Sequence, residues 1–284
     1  MTGVRLAWGE RTWLMGIINL TEDSFSGDGL AAPERSADEV VAAALEQARA
    51  FVAGGAEILD VGAESSRPTN AYGAHPPMSA EDEANLAVPV VRAIAEELGG
   101  RALVSIDTTK GVVARGALAA GASMVNDVWA ARRDPDTARA AAESGAHLVL
   151  MHNQEHNNYP GGLFETIVSW LAESVAAAEA VGVPRERIVV DPGIGFGKGT
   201  AANLEVLHRL AELKAALGGL PLLIGTSRKR FLGELLGGAP PEDRLEGTAA
   251  TVALAIAAGA DIVRVHDVAA MGRVRAVADA IIRR

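Results

Sequence analysis

Eight short β-rich runs alternate with eight Ala-rich stretches of helical spacing along 284 residues, with no break in composition, and this predicts an α/β protein of the (β/α)8 TIM-barrel class. The β-rich runs are Trp13–Ile18, Glu57–Val61, Ala102–Ile106, Ser123–Val125, His147–Met151, Ile188–Val190, Leu222–Ile224 and Ile262–Val265. They are aliphatic, too short for helices, and often preceded by Gly, as in Gly55-Ala56, Gly121-Ala122, Gly145-Ala146 and Gly259-Ala260.

Between them, apolar residues recur at helical spacing over Ala37–Ala53, Ala80–Leu98, Gly111–Ala120, Phe164–Val181, Ala201–Leu217, Arg244–Ala258 and Val274–Ile282. A shorter helix fits Pro135–Glu143, and the apolar patch Phe231–Leu236 predicts another within the seventh connection. Glycines punctuate the helix ends. An open doubly wound sheet also alternates strand and helix, but eight units favour closure. No linker or low-complexity segment divides the chain, so residues 1–284 read as one domain.

Composition narrows the function. The chain is 49% hydrophobic, 22% charged and 4% aromatic, which excludes a disordered polypeptide. A net charge of −10 argues against a general nucleic-acid binder, because phosphate neutralisation needs a basic surface. With no Cys there is no disulfide, thiolate metal site or cysteine nucleophile. The first apolar run is too short for a signal peptide and lacks a small-residue cleavage site, and Ala249 to Ala260, Ala-rich with Thr and Gly and ended by Asp261, cannot span a bilayer. A soluble, cytoplasmic protein without membrane partners is expected. Lysine stands only at 110, 198, 214 and 229, and three of the four follow strand ends. In an Arg-rich chain such lysines suggest sites that need an ammonium.

Polar residues close or follow all eight strands. They are Asn19, then Asp60 with Glu64, Ser66 and Arg67, Asp107, Asn126-Asp127, His152, Asp191, Ser227-Arg228-Lys229, and Arg264 with His266. In a barrel these converge on the C-terminal mouth, where active sites of this fold are built. Asp107, Asn126 and Asp191 suit a flat heterocycle bearing amino and N–H groups. Arg264, His266 and Asn19 form a donor-rich set suited to a phosphate. Asn19 offers one oxygen to a Mg²⁺ held otherwise by phosphates and water.

Two motif matches are set aside. His152-Asn153-Gln154-Glu155-His156 fits a zinc pattern literally, but that chemistry needs a helix, and this segment runs into loop composition. Gly193 to Gly199 matches neither the dinucleotide fingerprint nor the P-loop; its glycines suit a close backbone approach to a ligand, and Phe196 could stack there or anchor the loop.

The same residues carry a family resemblance. Met15 to Ser26, Asp60 to Pro68, Ser105 to Thr108, Val125 to Asp127, Asp191 to Lys198, Gly225 to Lys229 and Arg264 to Val268 resemble, in order, the signatures of the dihydropteroate synthases, which are pterin-binding barrels. The resemblance implies condensation of 6-hydroxymethyl-7,8-dihydropterin diphosphate with 4-aminobenzoate, giving 7,8-dihydropteroate and pyrophosphate in folate synthesis. It implies that Asp107, Asn126, Asp191 and Lys229 hold the pterin, with Asp191 accepting from its amino-pyrimidine edge and Lys229 donating to its carbonyl. Asn19, Arg264 and His266 would hold the diphosphate, with Mg²⁺ at Asn19. Ser66, Arg67, Phe196 and Ser227 would shape the 4-aminobenzoate site. Catalysis would rest on Asp107, Asp191, Lys229 and Arg67. Sulfonamides are expected inhibitors, and a homodimer through outer helices is implied.

The chain departs from the family pattern at Glu22, in the order Ser26-Gly27-Asp28-Gly29, at Thr69, in the long segment to Met78, and at Arg230. These bear on 4-aminobenzoate affinity and on the dynamics of the Gly/Ser/Pro-rich loops Thr21–Ala32 and Glu64–Pro77, expected to be mobile, and not on the pterin pocket. A methyltetrahydrofolate-type pterin-binding methyltransferase is the nearest alternative. A Schiff-base aldolase using Lys229 and a non-catalytic pterin binder are others.

Overall fold

The computed structural model describes residues 4–21, 29–30, 35–64 and 78–283. Its strands are β1 (Trp13–Asn19), β2 (Ile58–Gly62), β3 (Leu103–Asp107), β4 (Met124–Asp127), β5 (His147–Met151), β6 (Ile188–Asp191), β7 (Leu223–Ile224) and β8 (Ile262–Val265). All neighbours are parallel, in the order β6-β5-β4-β3-β2-β1-β8-β7. The ring closes where Val190 bridges Leu222 and the Val190 amide donates to the Pro221 carbonyl at 2.9 Å. The expected barrel is the observed one.

Ten α-helices are found among the described residues. They are α1 (Ala37–Ala53), α2 (Ala80–Leu98), α3 (Gly111–Ala119), α4 (Asp136–Ser144), α5 (Leu163–Ala180), α6 (Thr200–His208), α7 (Leu210–Ala216), α8 (Arg230–Leu235), α9 (Leu245–Ala257) and α10 (Val268–Ile282). Side-chain caps start the first two. Ser36 and Glu39 form a reciprocal box, and Ser79 accepts from the Asp82 amide at 3.0 Å.

Two helices differ from the sequence reading. The expected Ala201–Leu217 helix is broken at Arg209, whose backbone (φ −103°, ψ 18°) leaves the helical region. The last helix begins at Val268 and not at Val274. Gly272 sits inside it because a Cβ there would lie 2.6 Å from the Gly54 carbonyl, so this glycine permits close packing and does not end the helix. Several strands also run one or two residues further than expected, so Asn19, Asp107, Asn126, Asp127 and Asp191 are strand residues, held by the ladder itself.

Alternation along the strands decides what faces the barrel axis. Leu14, Ile18, Leu59, Val61, Ile106, Val125, Val190 and Val263 pack outward into the helix layer. Trp13, Met15, Ile58, Met124, Val149, Val189, Leu223 and Ile262 form a separate apolar cluster inside the N-terminal end, joined by Leu6. Two residues further along, the same inward rows present Asp60, Asn126, Asp191 and Arg264, so register alone carries these groups into the mouth.

Candidate active site

Three linked groups of side chains occupy the mouth. The first surrounds Arg264 on β8. Its Nε donates to Asp60 Oδ2 at 2.6 Å and its Nη2 to Asp107 Oδ2 at 2.7 Å, while Asn126 Nδ2 donates to Asp60 Oδ2 at 3.0 Å. Asp60, Asp107 and Asn126 are all buried. Burial, followed by the charges of Asp60, Glu83 and Asp127, pushes the Asp107 carboxyl up to about 7 against the pull of Arg264.

The second group is the β6–α6 loop. Asp191 Oδ1 accepts from the Gly193 amide at 2.7 Å, and burial raises its pKa despite the opposing Lys229 and Lys198 charges. Lys229 donates to the Ile194 carbonyl, and its Nζ lies 4.8 Å from the centre of the Phe196 ring. Desolvation brings this ammonium down to about 8, opposed by Asp191. Gly193 (φ 71°) has no room for a side chain, since a Cβ would stand 1.9 Å from the His152 carbonyl; at Gly195 (φ 83°) it would stand 2.9 Å from Lys229 Cδ. The glycines therefore let the loop fold down onto β5 and Lys229.

Lys198 completes this loop. Its buried Nζ donates to the carbonyls of Gly193 and Phe196, each at 3.0 Å, and lies 2.9 Å from His152 Nδ1. Desolvation lowers Lys198 to about 7, and burial together with the Lys198 charge takes His152 to about 3. The lysine pattern of the sequence thus has a physical basis. Lys110 pairs with Glu64 and buried Glu83, and Lys214 with buried Asp261, so all four lysines serve as compact donors to largely buried acceptors.

In the third group, Ser227 Oγ accepts from the His266 amide at 3.1 Å and lies 3.0 Å from His266 Nδ1. Asn19 closes β1 beside β2, with its carbonyl accepting from the Leu30 amide at 3.0 Å. Of the sequence-derived residues, Asp107, Asn126 and Arg264 thus share one hydrogen-bond network, Asp191, Lys229 and Phe196 gather at the β6–α6 loop, and Ser227 and His266 pair. Ser66 and Arg67 lie outside the described residues, as do most of the two loops expected to be mobile. Asp60 and Lys198 received no individual role from sequence. Asp60 read as one more strand-end residue because its partners are 66 and 204 positions away.

A (β/α)8 barrel whose mouth combines desolvated carboxylates, an amide, an arginine and a lowered lysine has the form of a small-molecule enzyme of the barrel class. The chain belongs to the pterin-binding enzyme family, whose model matches residues 15–266. It is 44% identical over 279 residues to the dihydropteroate synthase of Bacillus subtilis, covering 98% of this chain and 92% of that one. The dihydropteroate synthase structure from Clostridium difficile, obtained with pteroic acid, matches at 41% identity and a TM-score of 0.89, covering 99% of this chain and 100% of that one. The Xanthomonas albilineans enzyme with 4-aminobenzoic acid matches at 35% identity and a TM-score of 0.81, covering 96% and 93%.

Proposed function

We infer that the protein is a dihydropteroate synthase, a transferase joining 6-hydroxymethyl-7,8-dihydropterin diphosphate to 4-aminobenzoate with release of pyrophosphate. The observation that carries this reading is the donor–acceptor array Asp107, Asn126, Asp191 and Lys229, buried or half-buried at one end of one barrel. Asp191 accepts from the amino-pyrimidine edge of the pterin, Lys229 donates to its carbonyl, and Asp107 and Asn126 meet the remaining polar edge. Relatives named as synthases favour this activity over a methyltetrahydrofolate-type methyltransferase.

The chemistry needs no covalent nucleophile. The bond between the pterin methylene carbon and the diphosphate oxygen breaks with its electron pair on oxygen, leaving a methylene cation shared with the electron-rich pterin. Asp107 and Asp191 stabilise that positive charge. Arg264, His266 and Asn19 face the departing diphosphate. The arylamine nitrogen then attacks the methylene carbon and loses a proton. Phe196 and Ser227, with Ser66 and Arg67, shape the 4-aminobenzoate position.

Among the described residues no group of three or more His, Cys, Asp or Glu side chains could hold a metal. Asn19 supplies one neutral amide oxygen, which fits a Mg²⁺ ion arriving with the diphosphate. When bound, such an ion neutralises the leaving group's charge.

The chain acts as one domain and, we further propose, as a homodimer. Leu254 on α9 and Val277 and Ile281 on the neighbouring α10 are more than 60% exposed, and α9 and α10 pack side by side. Leu254→Glu is expected to yield monomers in sedimentation equilibrium.

The deciding assay measures pyrophosphate release from the dihydropterin diphosphate with Mg²⁺, with and without 4-aminobenzoate. Release that requires the arylamine supports the synthase. Pterin binding without release would transfer the reading to the methyltransferase.

A further inference from the structure

Asp60 lies one inward position before Gly62 on β2, and Gly62 is the register partner of Asp107. It therefore sits one layer beneath the pocket residues. Its side chain is fully buried, and a single oxygen, Oδ2, accepts from both Arg264 Nε and Asn126 Nδ2. The other oxygen, Oδ1, is buried with no protein partner. An ionised carboxylate only accepts hydrogen bonds, so the Asn126 amide must turn its NH2 toward Asp60 and its Oδ1 elsewhere. The same carboxylate holds the Arg264 guanidinium edge-on, with Nη2 directed at Asp107.

We propose that Asp60 is a positioning residue for the pterin pocket, fixing the orientation of the Asn126 amide with its carbonyl turned away from Asp60, and holding Arg264 against Asp107. The proposal rests on the reading of this mouth as a pterin site. Its consequence is specificity: with Asp60 in place, Asn126 selects a ligand edge that donates. Without it, the amide is free to rotate and present either function.

Asp60 also sets the charge around Asp107. The charges that act on that carboxyl are those of Arg264 on β8, Asp60 on β2, Glu83 on α2 and Asp127 on β4. Burial first, and then Asp60 and the other carboxylates, hold its pKa up, and Arg264 opposes them. Removing the Asp60 charge while leaving Arg264 in place therefore moves Asp107 to a lower pKa.

The test compares Asp60→Asn with Asp60→Glu in the full-length enzyme. Asp60→Asn is expected to lower kcat/KM for the dihydropterin diphosphate by about 10- to 100-fold while the KM for 4-aminobenzoate stays within about twofold. It is also expected to shift the acid limb of that pH profile to lower pH. Asp60→Glu keeps the charge on a longer arm, so it is expected to weaken pterin binding in calorimetry and leave the acid limb where it is. Wild-type kinetics in Asp60→Asn would overturn the proposal. So would an equal loss toward both substrates with an unmoved acid limb, the signature of a merely structural role. If Asp60→Asn does not fold, normal pterin affinity in Asp60→Glu overturns it. An inactive wild-type enzyme that binds no pterin would instead refute the pocket reading on which the proposal stands.

Discussion

At the N-terminal end of the strands the barrel axis is filled by Trp13, Met15, Ile58, Met124, Val149 and Leu223, an apolar plug. Towards the other end the barrel presents Asp60, Asp107, Asn126, Asp191 and Arg264. Polar groups occur at both ends, but their bonding differs. Beneath the plug, Glu57 accepts from the Leu14 amide at 3.0 Å and from Arg275 at 2.7 Å, and Arg11 also reaches it. Asp279 accepts from the Thr12 amide and hydroxyl at 2.9 and 2.7 Å, and from Arg283 Nε at 3.1 Å. Those carboxylates are well matched by donors. At the mouth, Asp107 and Asp191 are held above the usual carboxylate range and Lys229 below the usual amine range, all by desolvation first. Among the described residues the N-terminal end keeps two buried atoms without a hydrogen-bond partner, His147 Nδ1 and Asp261 Oδ1, whereas the mouth gathers several desolvated charged groups that a ligand can satisfy.

Exchanging damage between the ends tests that contrast most strongly. Asp191→Asn is expected to cut kcat/KM on the order of 10³-fold. Its thermal midpoint should hold or rise, because the substitution removes a charge that burial already disfavours. An enzyme with undiminished turnover would erase the contrast. Met124→Ala at the floor should do the reverse. Urea unfolding should show a loss of about 2–4 kcal/mol, with both KM values unchanged. A changed pterin KM would mean that the floor and the mouth are mechanically coupled.

A smaller effect lies in pH. With Asp107 acting ionised and Lys229 protonated, as proposed, kcat/KM should fall as pH drops through about 7 and fall again as it rises through about 8. A flat profile from roughly pH 6 to 9 would remove both groups from the reaction. The smallest effect is expected on the outer surface. The exposed Arg49–Glu97 pair is bidentate at 2.6 and 2.7 Å, yet Arg49→Ala should leave thermal midpoint and kinetics at wild-type values.

Strands and most helices could be read from sequence because each is a local pattern, and polar residues at strand ends needed only register to be gathered. Asn126, Asp107 and Asp191 were found this way. The extra turns at the start of α10 were not, because they hold Gly272, whose close approach to the Gly54 carbonyl is a contact between elements distant in sequence. Asp60 was visible as a strand end, but its work depends on Arg264 and Asn126, distant in sequence. Lys198 stood out by rarity alone. Its partner His152 belongs to a motif that resembles a zinc site, and only the fold shows a lysine ammonium at His152 Nδ1.

The closure between β6 and β7 has a consequence for how the ring opens. β7 is two residues long, and its seam with β6 rests on the Val190–Leu222 bridge and the bond from Val190 to Pro221, while every other junction is a continuous ladder. This is the thinnest stave of the barrel, so transient breathing should start there and native-state amide exchange should be fastest along it. Asp191 ends β6 and Lys229 follows β7, one on each side of the gap. A ligand gripped by both acts as a clasp across the seam. Its occupancy is then coupled to ring closure, and slower exchange at Val190 measures how far binding tightens the hoop.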